Sequence, residues 1–233
     1  GEGAPLVGRS GELEVFTSVL KDVLQGIPGP RVLLVTGEEG VGKTRLIQEM
    51  KWSAQLHCSV IEGDARSSLP LSSMFRRATG NPEISGSLTG AVEVRHHLVS
   101  EGQTVTFLLD DVHLLSAGAR ASMLGLIRSL EPSDPILFVL SGEPDSLAPA
   151  PELVREIPLA PLGVEAVEQW AEGALTKESL PLLMELTRGI PSAIQDVLTR
   201  LGEGLMTEVD LVGLRDVPLS ERQASRLASL GRE

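Results

Sequence analysis

The chain has 233 residues, which suits one large or two small domains. Hydrophobic residues make up 42% and charged residues 22%, the balance of a globular chain rather than a disordered or fibrous one. A formal net charge of −12, aromatics at 3% and no tyrosine argue against nucleic-acid binding: neutralising phosphates takes clustered Lys and Arg, and gripping single strands takes aromatic platforms. The single cysteine, Cys58, excludes an intrachain disulfide framework, offers no zinc-ligand spacing and reads as a buried structural thiol. Apolar runs of about five residues are far too short for a membrane helix, and no signal peptide is visible. A cytoplasmic protein is the default expectation.

Helical periodicity opens over 11–24, with Leu13, Phe16, Val19, Leu20, Val23 and Leu24 on one face, and Gly26-Ile27-Pro28-Gly29-Pro30 ends it. A strand over 31–36 then runs into a glycine loop and a helix from 43 to about 56. A second strand is predicted over 59–62, a short helix over 69–77, and a helix capped by Thr89 running to 101. The third strand covers 104–109 and ends in Asp110-Asp111; a helix over 117–130 follows. The fourth strand, 136–140, is bracketed by Pro135 and Ser141-Gly142, and a shorter fifth lies over 156–159. Beyond Pro161 the strands stop and helices follow over 164–175, 178–187 and 192–201. After Gly202 the pattern loosens, with one more helix over 220–230 and no closing element, which predicts a longer parent protein. Short apolar runs alternating with helices predict an α/β fold of βαβ units around a buried parallel sheet. The expected organisation is an α/β nucleotide-binding domain at 1–160, a helical domain at 161–203, and a linker or the start of a further domain at 204–233.

Gly37-Glu38-Glu39-Gly40-Val41-Gly42-Lys43-Thr44 matches the spacing G-x-x-x-x-G-K-[ST], between a strand and a helix. The chemistry requires that order. Glycines let the backbone curl so that successive N–H groups face phosphate oxygens, and the helix N-terminus adds partial positive charge. Lys43, one of only four lysines, would reach the β and γ phosphates, and the Thr44 hydroxyl would ligate Mg²⁺. Glu38 and Glu39 oppose a triphosphate unless they face solvent at the outer bend. Phe107-Leu108-Leu109-Asp110-Asp111 is an apolar strand ending in two carboxylates. An aspartate at the end of a neighbouring strand lies beside such a loop, so Asp110 is placed on Mg²⁺ and Asp111 on the attacking water. A pair of helix-capping aspartates is the bland alternative.

These residues resemble the AAA+-related STAND ATPases, signal-transduction NTPases with numerous domains, in their bacterial form. The resemblance covers nearly the whole chain: Leu6-Val7-Gly8-Arg9 with Glu12-Leu13, then 37–46, then Leu109-Asp110-Asp111-Val112-His113, and finally Arg188-Gly189-Ile190-Pro191. It implies a P-loop NTPase fold with a five-stranded parallel sheet ordered 5-1-4-3-2, followed by a small helical lid. The tail from Val217 is similar to the approach to a winged-helix domain. By position, the resemblance implies that Val7 and Gly8 line an adenine pocket, that Arg9 and Arg45 adjoin the nucleotide, and that Pro191 packs near the base or ribose. It places Ser141 at the sensor-1 position, toward the γ-phosphate or the lytic water. ATP/ADP with Mg²⁺ is the implied ligand, held between sheet domain and lid, with self-association in the ATP state and a protein partner or further domains of the same chain. The absence of an N-K-x-D tetrad weighs against GTP.

Two departures point to slow turnover. Ser141-Gly142-Glu143-Pro144 lacks the arginine many relatives carry after the fourth strand, and Asp111 stands where motors of the AAA+ class use Glu. The main expectation is a slow ATP-hydrolysing signalling switch. Against it stand a non-hydrolysing nucleotide-binding scaffold and an origin-recognition-like DNA-associated ATPase, which shares the Leu-Val-Gly-Arg start. His113 at the site's edge, Arg128 as an arginine finger, and the cluster Arg66, Arg76 and Arg77 as a partner surface each have a plainer structural alternative. Trp52 and Trp170 are expected in the core or at a domain interface.

Overall fold

The computed structural model describes residues 6–143 and 153–215. The helix expected over 220–230 lies outside them. Two compact units emerge, one spanning Arg9–Ala160 and the other combining the N-terminal residues through Gly8 with the chain from Pro161.

The first unit begins with α1 (Ser10–Leu24), followed by β1 (Val32–Thr36), α2 (Lys43–Gln55), β2 (Ser59–Gly63), α3 (Pro70–Thr79) and α4 (Leu88–Glu101). It continues with β3 (Val105–Leu109), α5 (Ala117–Ser129), β4 (Ile136–Ser141) and β5 (Val154–Pro158). The strands form one parallel sheet ordered β2-β3-β4-β1-β5, the implied 5-1-4-3-2 read from the other edge. Strands β1, β3 and β4 are buried at every residue, which is why they read as unbroken apolar runs rather than alternating ones. On one face lie α3, α4 and α5, closing over Ile61, Phe107, Phe138 and Leu140. There Phe107 stacks on Phe138 at 5.0 Å between centroids and meets the edge of Phe75 at 6.1 Å. Helices α1 and α2 contribute Phe16, Leu20, Leu46 and Met50 as further fully or nearly fully buried side chains.

At the end of the sheet where the strands start, polar groups rather than apolar ones fix the geometry. Arg31 is fully buried just before β1 and donates to the carbonyls of Asp134 (2.7 Å), Ile27 (2.8 Å) and Pro30 (3.0 Å). Burial pulls its guanidinium below the ordinary value, opposed by the nearby Asp134 and Asp22. The Asp134 carboxylate is itself 2% exposed; it accepts from Arg95 Nε at 2.6 Å and from the Glu131 N–H at 2.8 Å. One acid therefore joins α4 to the turn between α5 and β4, and its own carbonyl holds the entry to β1.

Several expectations shift in detail. Ser87, not Thr89, caps α4, its hydroxyl accepting from Gly90 N. β5 begins two residues earlier than its apolar pattern, because an edge strand tolerates the exposed Arg155 and Glu156. Arg76 and Arg77 are exposed, and each is anchored to backbone: Arg76 Nε donates to the Ile84 carbonyl and Arg77 Nη1 to that of Glu62. Trp52 is not a core residue but 50% exposed, with the Arg45 guanidinium over its ring at 5.2 Å. Cys58 is partly buried beside the Thr106 hydroxyl at 3.3 Å, and desolvation pushes its thiol up.

The second unit contains α6 (Val164–Ala171), α7 (Leu180–Thr187), α8 (Pro191–Gly202) and α9 (Glu208–Arg215). Its core joins Leu162, Val167, Leu183, Ile194 and Leu211, with Val7 and Trp170 packed against it. Helix α9 occupies a stretch expected to be linker or the start of a further domain. It is held by fully buried Leu211 and by Glu208, whose carboxylate accepts from the Thr176 hydroxyl at 2.6 Å and from the Ser179 hydroxyl. Those hydroxyl donors hold the Glu208 carboxyl below its usual range. Among the described residues no helix is long and apolar enough to cross a membrane.

Asp134→Ala is expected to lower unfolding stability by about 3 kcal/mol, because it strands Arg95 and leaves buried Arg31 without its nearest counter-charge. A fall in the urea midpoint at unchanged slope would register this; an unchanged midpoint would show that the acid contributes nothing there.

Candidate functional site

The phosphate loop runs from the end of β1 into α2, and all three of its glycines have positive φ: Gly37 at 141°, Gly40 at 81° and Gly42 at 100°. L-residues rarely adopt such values, so the curl is encoded by the glycine spacing itself. Gly37 is also required by space: a Cβ there would lie 2.8 Å from the Leu159 carbonyl oxygen and 2.9 Å from Val41 Cγ1. Val41 is fully buried beneath the loop, while Glu38 and Glu39 point outward and are exposed, as their place at the outer bend demands. Helix α2 starts at Gly42 with no side-chain cap and no acid in its first turn. Its first backbone N–H groups therefore face the loop without a competing protein acceptor of their own, the arrangement that receives anions.

Lys43 Nζ donates to the carbonyls of Gly37 (2.7 Å) and Glu38 (3.1 Å), folding the ammonium back over the loop. Beside it, Thr44 Oγ1 donates to Asp110 Oδ2 at 2.6 Å. The other carboxylate oxygen, Oδ1, accepts from the Ser141 hydroxyl and from the Asp111 N–H at 3.1 Å. The Asp111 N–H is shared with Ser141 Oγ at 2.9 Å. Strand order explains the meeting: β3, β4 and β1 are consecutive neighbours, so the residues at their C-terminal ends form a row. Asp110 follows β3, Ser141 ends β4, and the loop carrying Thr44 follows β1.

Asp111 has φ 55° and ψ 47°, left-handed values that cost a non-glycine residue about 1 kcal/mol or more. The turn redirects the chain into a short 3₁₀ segment, Val112–Leu114, whose His113 carbonyl is held by Arg120 at 2.9 Å. No signal in the sequence forecast this backbone state.

A magnesium ion fits the donor set. The Thr44 hydroxyl and the Asp110 carboxylate are hard oxygen donors in direct contact, and Mg²⁺ favours one or two protein oxygens completed by water and phosphate. Among the described residues no cluster of three or more His, Cys, Asp or Glu could cage a metal by protein alone.

Arg45 and Arg9 are engaged with protein partners. Arg45 faces its own helix, paired with Glu49 at 2.6 Å and stacked on Trp52. Arg9, 7% exposed, donates to the carbonyls of Val41 and Ala160 and pairs with Glu12. Val7, Gly8 and Pro191 belong to the second unit. Gly8, with φ 64°, sits where a Cβ would come within 2.7 Å of Ala166 Cβ. Pro191 starts α8 after a tight turn in which Arg188 (φ 55°) and Gly189 (φ 75°) are both left-handed and Gly189 O accepts from Leu162 N at 2.8 Å. Thus the phosphate and metal candidates Gly37–Thr44, Asp110, Asp111 and Ser141 come together in the first unit, whereas the base-pocket candidates are set by the packing of the second.

The profile of the AAA ATPase domain matches residues 5–96, the stretch holding the Leu6–Arg9 start and the phosphate loop. No curated protein sequence matches the chain. Among solved structures it is similar to the ORC1 protein of Aeropyrum pernix in complex with DNA, at 21% identity and a TM-score of 0.59, over 88% of this chain and 63% of that one. It is also similar to the ORC2 protein of the same organism in ADPNP and ADP complexes, at 19% identity and a TM-score of 0.58, over 89% and 66%. Cdc6p of Pyrobaculum aerophilum gives 15% identity and a TM-score of 0.59, over 86% and 62%. The chain thus spans just under two thirds of the length of each of these relatives. At such identities the likeness establishes the fold: a P-loop AAA+ type sheet of five parallel strands flanked by helices, with a helical C-terminal part.

Proposed function

We propose that this chain binds ATP with Mg²⁺ at the Gly37–Thr44 loop and hydrolyses it slowly, as the nucleotide-controlled switch of a larger regulatory protein. One observation carries the reading. The Asp110 carboxylate is divided between the Thr44 and Ser141 hydroxyls, beside a loop whose three glycines all curl toward the start of α2.

The residues divide the work as follows. Loop amides and the α2 N-terminus receive the β and γ phosphates. Lys43, already poised over the loop mouth, exchanges the Gly37 and Glu38 carbonyls for phosphate oxygens. Thr44 and Asp110 hold Mg²⁺, which neutralises charge building on the phosphates. Asp111 orients or deprotonates the water, and Ser141 keeps both aspartates in place. Turnover is slow because Asp reaches less far than Glu and Gly142-Glu143 supplies no cation after β4. The resemblance to signal-transduction ATPases supports the rest: nucleotide state sets the orientation of the helical unit and favours self-association, with the signal and output lying in other parts of the parent protein.

A DNA-associated role, suggested by the likeness to an ORC1 protein solved with DNA, is the second reading. The charge of −12 opposes it; salt-dependent duplex binding by the purified chain would favour it.

Two outcomes test the main reading. Purified protein with ATP and Mg²⁺ should release phosphate, and Lys43→Ala should cut the rate by roughly 100-fold or more. Stoichiometric retention of unhydrolysed nucleotide would instead support a scaffold role. Asp111→Gly should abolish turnover while raising stability by roughly 0.5–1 kcal/mol, because glycine relieves the left-handed backbone. A destabilised glycine variant would show that the turn is not strained.

A further inference from the structure

The chain passes between its two units at two peptide joints, Gly8–Arg9 and Ala160–Pro161. Arg9 is the first residue of the sheet unit and Ala160 its last, and a single side chain links both to the phosphate loop. Arg9 Nη2 donates to Ala160 O at 2.7 Å and to Val41 O at 3.1 Å, while Nη1 pairs with Glu12 Oε1 at 3.1 Å. The guanidinium is 7% exposed, so these bonds form in a desolvated setting where leaving one unmade is costly.

The bond to Val41 has a particular consequence. The peptide plane carrying Val41 O also carries the Gly42 N–H, and the two point in opposite directions. Fixing the carbonyl on Arg9 therefore fixes the direction of a loop amide on the other side. Gly42, with φ 100°, has the backbone freedom to let that plane rotate when a phosphate draws its N–H. A second link runs in parallel. Gly37 lies flat on Leu159, leaving 2.8 Å between its missing Cβ and the Leu159 carbonyl, and Leu159 N donates to Thr36 O at 2.8 Å. Both ends of the loop thus bear on residues 159–160. Next to the other joint, Gly8 is left-handed and Arg9 O accepts from Leu13 N at 3.1 Å, so the start of α1 moves with Arg9.

We propose that Arg9 is a positioning residue that transmits occupation of the loop by a triphosphate to both backbone joints of the sheet unit. The inference rests on the nucleotide reading above and adds to it the element through which that occupation leaves the loop. Arg9 does so without touching the nucleotide, its donors being engaged with protein carbonyls and Glu12. A lysine at this position keeps the charge but offers one compact ammonium in place of a fork, and so weakens the double link.

The test uses the whole chain and amide hydrogen exchange over residues 7–10 and 159–163, with and without Mg-ATP, alongside binding of a fluorescent ATP analogue. In the unaltered protein the nucleotide should change exchange at both segments. Arg9→Gln should bind the analogue within roughly tenfold, a loss of the size of a hydrogen bond, yet lose more than half of that exchange response. Arg9→Lys should retain an intermediate response, and Glu12→Gln, which spares both carbonyl bonds, should retain all of it. A full response in Arg9→Gln, or in Arg9→Lys should the glutamine variant not fold, would overturn the proposal. So would an unaltered protein that binds the analogue but shows no response at either joint. Failure of the unaltered protein to bind any nucleotide would remove the ATP reading and this inference together.

Discussion

The arrangement of the site depends on one shared carboxylate. Asp110 presents one oxygen to Thr44, on the helix after the phosphate loop, and the other to Ser141, at the end of the middle strand. Three segments distant in sequence, from β1–α2, β3 and β4, are thereby registered at a single group. The bonds are modest individually, but each partner is short and stiffly mounted, so a shift of any strand end would break at least one. Apolar packing alone does not supply such registration. It buries β1, β3 and β4 on both faces but specifies no particular pairing of polar groups at their tips.

The opposite end of the sheet solves a related problem with a different device. There the strands start rather than stop, and the chain must enter β1 and β4 side by side. Arg31 and Asp134 do this with buried charge, the guanidinium collecting three backbone carbonyls and the carboxylate bridging to Arg95. The sheet is thus fastened by polar groups at both ends and by apolar contacts along its length. The end bearing carboxylates, hydroxyls and uncapped amides is the one equipped for chemistry. At the other end, Arg31, Arg95 and Asp134 spend their polar atoms on internal bonds.

Much of this was legible in the sequence because the signals are local. The glycine spacing at Gly37, Gly40 and Gly42 corresponds one for one with the positive φ values, and apolar runs closing in Asp110 and Ser141 locate the strand tips. The strand order followed from resemblance rather than from any local pattern, and the structure bears it out. What escaped is non-local or conformational. Helix α9 buries Leu211 and leaves Val209 and Val212 exposed, so its short pattern read as linker or the start of a further domain. The grouping of Val7 and Gly8 with the helices is a contact across more than 150 residues that no window can register. Arg31 is simply the first residue of an expected strand, and only the fold reveals the three carbonyls around it. The left-handed Asp111 is likewise a product of its surroundings, since aspartate is compatible with that state without demanding it.

Charge distribution bears on which form of nucleotide the loop would accept. The chain is strongly acidic, and Glu38 and Glu39 lie in the loop itself, so its long-range field disfavours a polyanion. The neighbouring arginines do little to offset this, because Arg9 is engaged with Val41, Ala160 and Glu12, and Arg45 with Glu49 and Trp52. Lys43 and the backbone amides remain as short-range attraction, effective only once the phosphates are within the loop. In the proposed function magnesium would have an electrostatic role before any catalytic one: it would lower the charge that must approach an acidic surface and shield Asp110 from the phosphates. On that reading the loop would discriminate against free triphosphate and in favour of its magnesium complex. Its selectivity would come from the acidity of Glu38, Glu39 and the chain as a whole.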